Sequence, residues 1–230
     1  MAGGGTGVEV SPDRLVGWIN RFGDRNGGLD ELSTDGHTLV IRGGDGTVAS
    51  ATVPFGPMTT ADRPSSAPDG AGADPGGEGR EPVEALLDHL ASLGPLGLIL
   101  VRGGAHSVGV AVGGVVVRSS TDRAYLQGRT AAGGWSQQRF ARRRGNQRAA
   151  SLADAADAVA RVLLPEHLTG LVLGGDRAAL AGVLADPRLA PLGALPTRTF
   201  PDVAEPRRAV LDEVATRSMS VPIVIGPANP

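Results

Sequence analysis

Gly128-Arg129-Thr130-Ala131-Ala132-Gly133-Gly134-Trp135-Ser136-Gln137-Gln138-Arg139-Phe140-Ala141-Arg142-Arg143-Arg144 is the stretch of this 230-residue chain best suited to chemistry. It begins as a loop of Gly, Ala and Thr, whose bare backbone can approach a ligand closely, above all at Gly133 and Gly134. It leads into a helix, whose N-terminal N–H groups attract anions. Gln137 and Gln138 are neutral and bifunctional, so each can donate to and accept from a water or a ribose hydroxyl. No residue of the run is a general base near neutrality. Any reaction here must rest on positioning and hydrogen bonding. Trp135 has two readings: it stacks on a nucleotide base, or it anchors the loop.

The same stretch lies in a basic island. From Arg123 to Ser151 there are seven arginines (123, 129, 139, 142, 143, 144 and 148) and no Asp or Glu, although the whole chain carries a net charge of −2. An island of one sign in a near-neutral protein is an electrostatic footprint for polyanions, nucleic acid first among them. All 22 basic residues of the chain are Arg. Arg suits bidentate phosphate recognition, but across a whole chain its exclusive use reads first as GC-rich coding.

Composition excludes several other chemistries. Without cysteine there are no disulfides, thiolate metal sites, Cys nucleophiles or iron–sulfur clusters. His37, His89, His106 and His167 are scattered, so a metal site is not expected, and no cofactor is called for. No apolar run reaches 18 residues, and the N-terminal residues lack the basic start and apolar stretch of a signal peptide, so a cytoplasmic protein is expected. Gly174-Gly175-Asp176 lacks the spacing of a nucleotide loop and reads as a tight strand–helix turn capped by Asp176. His106, beside Gly103-Gly104, reads as a surface turn histidine rather than a base. Asp122 and Arg123 read as a structural pair.

These residues need elements to position them. The predicted fold class is α+β, a mixed central sheet flanked by helices, with a small N-terminal unit. Residues 8–57 form that unit. Ser11-Pro12-Asp13 starts a helix with Leu15, Trp18, Ile19 and Phe22 as its core stripe, and Asn26-Gly27-Gly28 ends it. His37–Arg42 and Thr47–Phe55 follow as a hairpin. Residues 59–82, rich in Pro, Gly, Ala, Ser and Asp, read as a flexible loop or linker. Residues 83–217 alternate between helix and strand patterns, and 218–230 read as a C-terminal tail. The longest predicted helix is Ser136–Leu164. Its stripe is Ala141, Gly145, Ala149, Leu152, Ala156, Val159 and Leu163. The first three are tiny, which predicts close packing of its N-terminal half and a compensation for Gly145.

Gly-Gly-Trp-Ser-Gln-Gln-Arg-Phe-Ala-Arg-Arg-Arg-x-Asn-Gln resembles the segment after the Gly-Gly-Gln loop in the catalytic domain of archaeo-eukaryotic class I release factors. In detail it is similar to the actinobacterial form of the VLRF group, the Vms-like release factors, over about residues 83–217. The resemblance implies a peptidyl-tRNA hydrolase that acts on stalled large ribosomal subunits, with P-site peptidyl-tRNA and ribosomal RNA as partners. Trp135 stands where release factors carry their Gln. The VLRF pattern places Gln further on, which points to Gln137, with Gln138 as the second candidate. Gly133 and Gly134 carry over as the paired glycines. Arg129, Trp135, Arg139, Arg142, Arg143, Arg144 and Arg148 would then contact RNA.

Two other readings compete. In one, the protein is a non-catalytic ribosome- or RNA-binding rescue factor that uses the Arg-rich helix alone. In the other it is a nuclease, which would need clustered carboxylates and a divalent metal. The basic island contains no carboxylate side chain.

Overall fold

A computed structural model describes residues 6–58, 81–123 and 135–227, without the side chains of 135–141, 143 and 144. In chain order the elements are β1 (Thr6–Val10), α1 (Pro12–Arg25), β2 (Leu29–Thr34), β3 (Thr38–Gly43), β4 (Val48–Thr52), α2 (Glu81–Ser92), β5 (Leu96–Arg102) and β6 (Ala105–Val112). They continue with β7 (Val115–Arg123), α3 (Trp135–Leu163), β8 (Gly170–Gly175), α4 (Arg177–Leu184), a 3-10 helix (Pro187–Ala194), β9 (Thr197–Phe200), α5 (Arg208–Ser218) and β10 (Val221–Gly226). The fold class is α+β, with two five-stranded sheets and helices against them.

The chain divides into two compact units. One comprises residues up to Ser92 together with those from Met219 onward, and the other is Leu93–Ser218. The first holds an antiparallel sheet in the order β1-β10-β4-β3-β2. Strands β3 and β4 alternate buried and half-exposed residues, as a sheet with one covered face requires. Helix α1 begins at Pro12, buries Leu15, Ile19, Phe22 and Gly23, and ends at Asn26, whose Nδ2–H donates to Phe22 O at 2.6 Å. Gly27 and Gly28 have φ of 76° and 99°, conformations that favour Gly, and they turn the chain into β2. His89 of α2 donates from Nε2 to Pro54 O at 3.0 Å and ties that helix to the end of the hairpin.

Two features differ from the sequence expectation. Residues 218–230 were expected as a tail, yet Val221–Gly226 pairs with β1 on one side and β4 on the other. Val221 and Ile223 are fully buried there. A five-residue apolar run broken by Pro222 looks weak in isolation, because its stability comes from partners far away in sequence. The expected linker 59–82 lies outside the described residues except for Glu81 and Pro82, which open α2. That helix joins the first unit, so the boundary between units falls after Ser92 rather than near residue 82.

The second unit carries a mixed sheet in the order β7-β6-β5-β8-β9. The β7-β6-β5 part is antiparallel, and β8 and β9 run parallel to β5. Every residue of the central strand β5 from Leu96 to Val101 is buried, which is the continuous apolar pattern of a strand covered on both faces. One face carries α3 and α4. Their Ala155, Val159, Val162, Leu163, Leu180 and Val183 share one apolar cluster with Ile99, Val101, Val108 and Val110. Helix α5 lies against the opposite face. A Cβ at Gly109 would come within 2.8 Å of Leu211, so Gly leaves that helix the room it occupies. Asp176 caps α4 by accepting from the N–H groups of Ala178 at 2.8 Å and Ala179 at 3.1 Å.

If β10 is an integral strand, Ile223→Ala destabilises the first unit by about 2–5 kcal/mol. Urea unfolding measures this. A loss below about 0.5 kcal/mol, the size of a surface substitution, would show that 221–226 contributes no core.

Candidate nucleic-acid interface

Helix α3 has 29 residues. At 1.5 Å per residue it is about 43 Å long. Its two halves differ in their surroundings. From Ser151 onward it is a packed helix: Ser151, Ala155, Ala156, Ala158, Val159, Val162 and Leu163 are all buried. Ser151 Oγ donates to Gly104 O at 3.1 Å, which ties the start of this half to the β5–β6 turn. Arg161 Nη2 donates to Ser120 Oγ of β7 at 3.0 Å. Arg188 pairs with Asp157 of α3 and with Asp186, each at 2.7 Å, and its guanidinium holds the half-buried Asp186 carboxyl down at about 2.

The half before Ser151 is different. Arg142, Gly145, Asn146, Arg148, Ala149 and Ala150 are exposed. Gln147 is half-buried, and its Oε1 has no hydrogen-bond partner among the described residues. A Cβ built at Gly145 meets nothing within 4 Å. The expectation that Gly145 and Ala149 pack closely is therefore corrected. The stripe has the right spacing, but its small side chains bury too little surface to hold a helix down, and burial starts where Leu and Val appear. Arg142 and Arg148 make no ion pair or hydrogen bond with the described residues, so both guanidinium groups are available to an anion.

The remaining candidates fall partly outside the description. Arg129, Gly133 and Gly134 lie outside the described residues. Trp135, Gln137, Gln138, Arg139, Arg143 and Arg144 are in α3 by backbone alone, their side chains lying outside the described residues. The first turn of α3 therefore contains both glutamines, and the two glycines directly precede it in sequence. Arg123 leaves the free part of the island. Its guanidinium pairs with Glu205 at 3.1 Å, and Glu205 also holds Arg207. The expected Asp122–Arg123 pair is instead a backbone contact, Arg123 N–H to Asp122 Oδ1 at 2.7 Å.

His106 also differs from expectation. It is a buried residue of β6, on the face that α3 covers, and is only 4% exposed. Burial lowers its pKa, while Asp122, its partner across the strand pair, and Asp154 of α3 act in the opposite sense. Gly103 and Gly104 form the turn, and the strand begins one residue before the histidine. Among the described residues no group of three His, Asp or Glu could hold a metal ion, and no helix is long and apolar enough to cross a membrane.

Sequence reading also missed a cleft in the first unit. It has a volume of about 210 Å³ and is lined by Trp18, Arg21, Phe22, Arg25, Asn26 and Ile225. Trp18 was expected in the core but is half-buried at this surface. The spacing of Arg14, Trp18, Arg21 and Arg25 was the available signal.

The second unit is thus a mixed sheet carrying a long crossover helix whose N-terminal half is basic and exposed. The family model for the VLRF1 release factor of Actinobacteria and Chloroflexi matches residues 94–224, and the chain belongs to this family. Membership brings a release-factor-like role in ribosome rescue and interaction with the ribosome. No curated protein matches the chain.

Two outcomes follow from this geometry. The folded-state pKa of His106 lies below its unfolded value of about 6.5, so the unfolded chain binds the extra proton more readily. The stability of the second unit should be complete above about pH 6.5 and fall as the pH drops below it. His106→Gln should remove that step from a plot of melting temperature against pH. At Gly145, replacement by Ala should stabilise the exposed half of α3 by about 1 kcal/mol, because nothing obstructs the methyl group. Amide hydrogen exchange over residues 145–150 should slow by up to about fivefold.

Proposed function

We propose that the protein is a peptidyl-tRNA hydrolase that frees nascent chains from tRNA on stalled large ribosomal subunits. The observation that carries this reading is membership of the VLRF1 release-factor family together with a Gly-Gly pair directly before α3. That order puts two glutamines into the first turn of a helix, where backbone N–H groups have no intrahelical acceptor. Gly133 and Gly134, ahead of Trp135, carry no side chains, which suits close approach to the terminal adenosine of a P-site tRNA.

The chemistry follows from the groups present. Gln137 accepts from and donates to a water and orients it toward the ester carbonyl, and Gln138 is the second candidate for that role. The water oxygen attacks the carbonyl carbon, the bond to the ribose oxygen breaks, and the departing oxygen takes up a proton from the attacking water. No side chain of the loop acts as a base. Orientation alone is worth up to about 7–11 kcal/mol when the reacting atoms are held in line. Backbone N–H groups near Gly133 and Gly134 stabilise the developing oxyanion, a contribution of about 3–4 kcal/mol per donor in comparable sites. Arg129, Arg139, Arg142, Arg143, Arg144 and Arg148 hold phosphates of ribosomal RNA or of the tRNA acceptor end, and Trp135 stacks on a base. The reaction needs no cofactor and no metal, and it proceeds in the cytoplasm.

A second reading is favoured by the exposure of Arg142 and Arg148, which needs no catalysis to explain it. In that reading the protein is a ribosome-binding rescue factor whose loop is only a contact.

Release of labelled peptide from large subunits carrying peptidyl-tRNA separates the two. Wild type should release peptide, and Gln137→Ala should slow release by about a hundredfold or more, the scale of losing one positioned hydrogen-bonding group. Wild-type rates in both Gln137→Ala and Gln138→Ala would overturn the glutamine mechanism. Tight binding without release would establish the binding factor. Joint replacement of Arg142 and Arg148 by Gln should weaken subunit binding and reduce the slope of log K against log salt by about 1.4–1.8.

A further inference from the structure

Helix α1 presents a stripe that the fold of the first unit does not use. At 3.6 residues per turn, Arg14, Trp18, Arg21 and Arg25 fall within about 60° of arc. All three arginines are exposed, and none makes an ion pair or hydrogen bond with the described residues. The buried residues Leu15, Ile19 and Phe22 lie to one side of this stripe, and Asp13 and Asp24 flank the other. The Trp18 and Phe22 rings are stacked at 5.7 Å between centroids and 17° between planes, so the stripe has an aromatic ledge in its middle. An ideal Cβ at Gly17 would sit 3.3 Å from an Arg21 Nη atom, so Gly17 leaves room for that guanidinium to lie along the helix.

The cleft beside the ledge is about 210 Å³, and Ile225 of β10 forms part of its wall. Small-molecule sites usually span about 300–1,000 Å³, so this one suits a single ring system rather than a whole cofactor. The Asn26 amide N–H group is committed to Phe22 O, which leaves its side-chain oxygen as an acceptor at the end of the cleft. A flat aromatic surface, two unpaired guanidinium groups and a free amide acceptor match the parts of one nucleotide: base, phosphates and exocyclic amine. An acidic peptide would use the arginines but leave the ledge without a ring to cover it.

We infer that the Trp18–Arg21–Arg25 cleft of the first unit is a second RNA contact, which stacks one unpaired nucleotide on Trp18 and holds its phosphates with the two arginines. This does not depend on the hydrolase reading. The glutamine loop and the arginines of α3 belong to the other unit.

The test uses the full chain carrying Trp135→Phe. Because the protein has 2 tryptophans, Trp18 is then its only tryptophan. Quenching that depends on Arg21 and Arg25 reads this cleft. Titration with octauridylate should quench Trp18 saturably. Arg21→Gln with Arg25→Gln should weaken that binding at least tenfold and lower the salt slope by about 1.4, at 0.7 per phosphate contact on a single strand. These arginines are exposed and have no ion pair or hydrogen bond among the described residues, so the double variant keeps its fold. Absence of quenching by octauridylate, or equal quenching in the double variant, would overturn the inference. Equal quenching by octaglutamate would overturn it in favour of an acidic peptide.

Discussion

Ala155, Val159, Val162 and Leu163 of α3 share an apolar cluster with Ile99 and Val101 of β5 and with Val108 and Val110 of β6. The rest of the second unit depends on this seam. It holds only the C-terminal half of a helix of 29 residues. Each fully buried Val or Leu side chain in it contributes about 1.5–3 kcal/mol, and the arginine-bearing half contributes little in return. The basic half is therefore carried by the seam and does not help to build it. Ser151, bonded to the β5–β6 turn, marks the boundary at which the helix passes from one regime to the other.

This division lets one helix meet two opposing demands. A surface that grips phosphates must keep its guanidinium groups solvated and unpaired, which works against burial. A surface that fixes direction must be apolar and close-packed. Helix α3 sets an exposed arginine-bearing half and a close-packed apolar half in series on one continuous backbone. Arg123, at the end of β7, shows the contrast. It belongs to the same charge island but is paired with Glu205, and so it serves the fold.

Much of this was legible in the sequence. The periodicity of α1 and α3, the Gly-Gly turns and the Asp176 cap depend on near neighbours, which local reasoning can weigh. The motif from Gly133 to Arg144, whose composition no apolar pattern explains, pointed to the family whose model matches residues 94–224. What was missed depended on distant partners. β10 is a strand only because β1 and β4 flank it. His106 is buried because α3 covers β6. Ala149 has the same spacing as a core residue, yet lies exposed because its stripe is too small there to bury much surface. Trp18 sits among true core positions on α1, and only the surface around it shows the side on which its ring lies.

The position of β10 bears on how the molecule is made. The sheet of the first unit has four strand pairings, and two of them, β1 with β10 and β10 with β4, depend on a strand that follows all the others in sequence. During synthesis β1 and β4 therefore have no partner between them until residue 226 has emerged. The second unit, Leu93–Ser218, contains all the strands of its own sheet and can close earlier. Domains usually form in the order in which they are translated. Here the first unit cannot complete its sheet until β10, which follows the second unit in sequence, has been made. Until then the facing edges of β1 and β4 stay open to pairing with another chain.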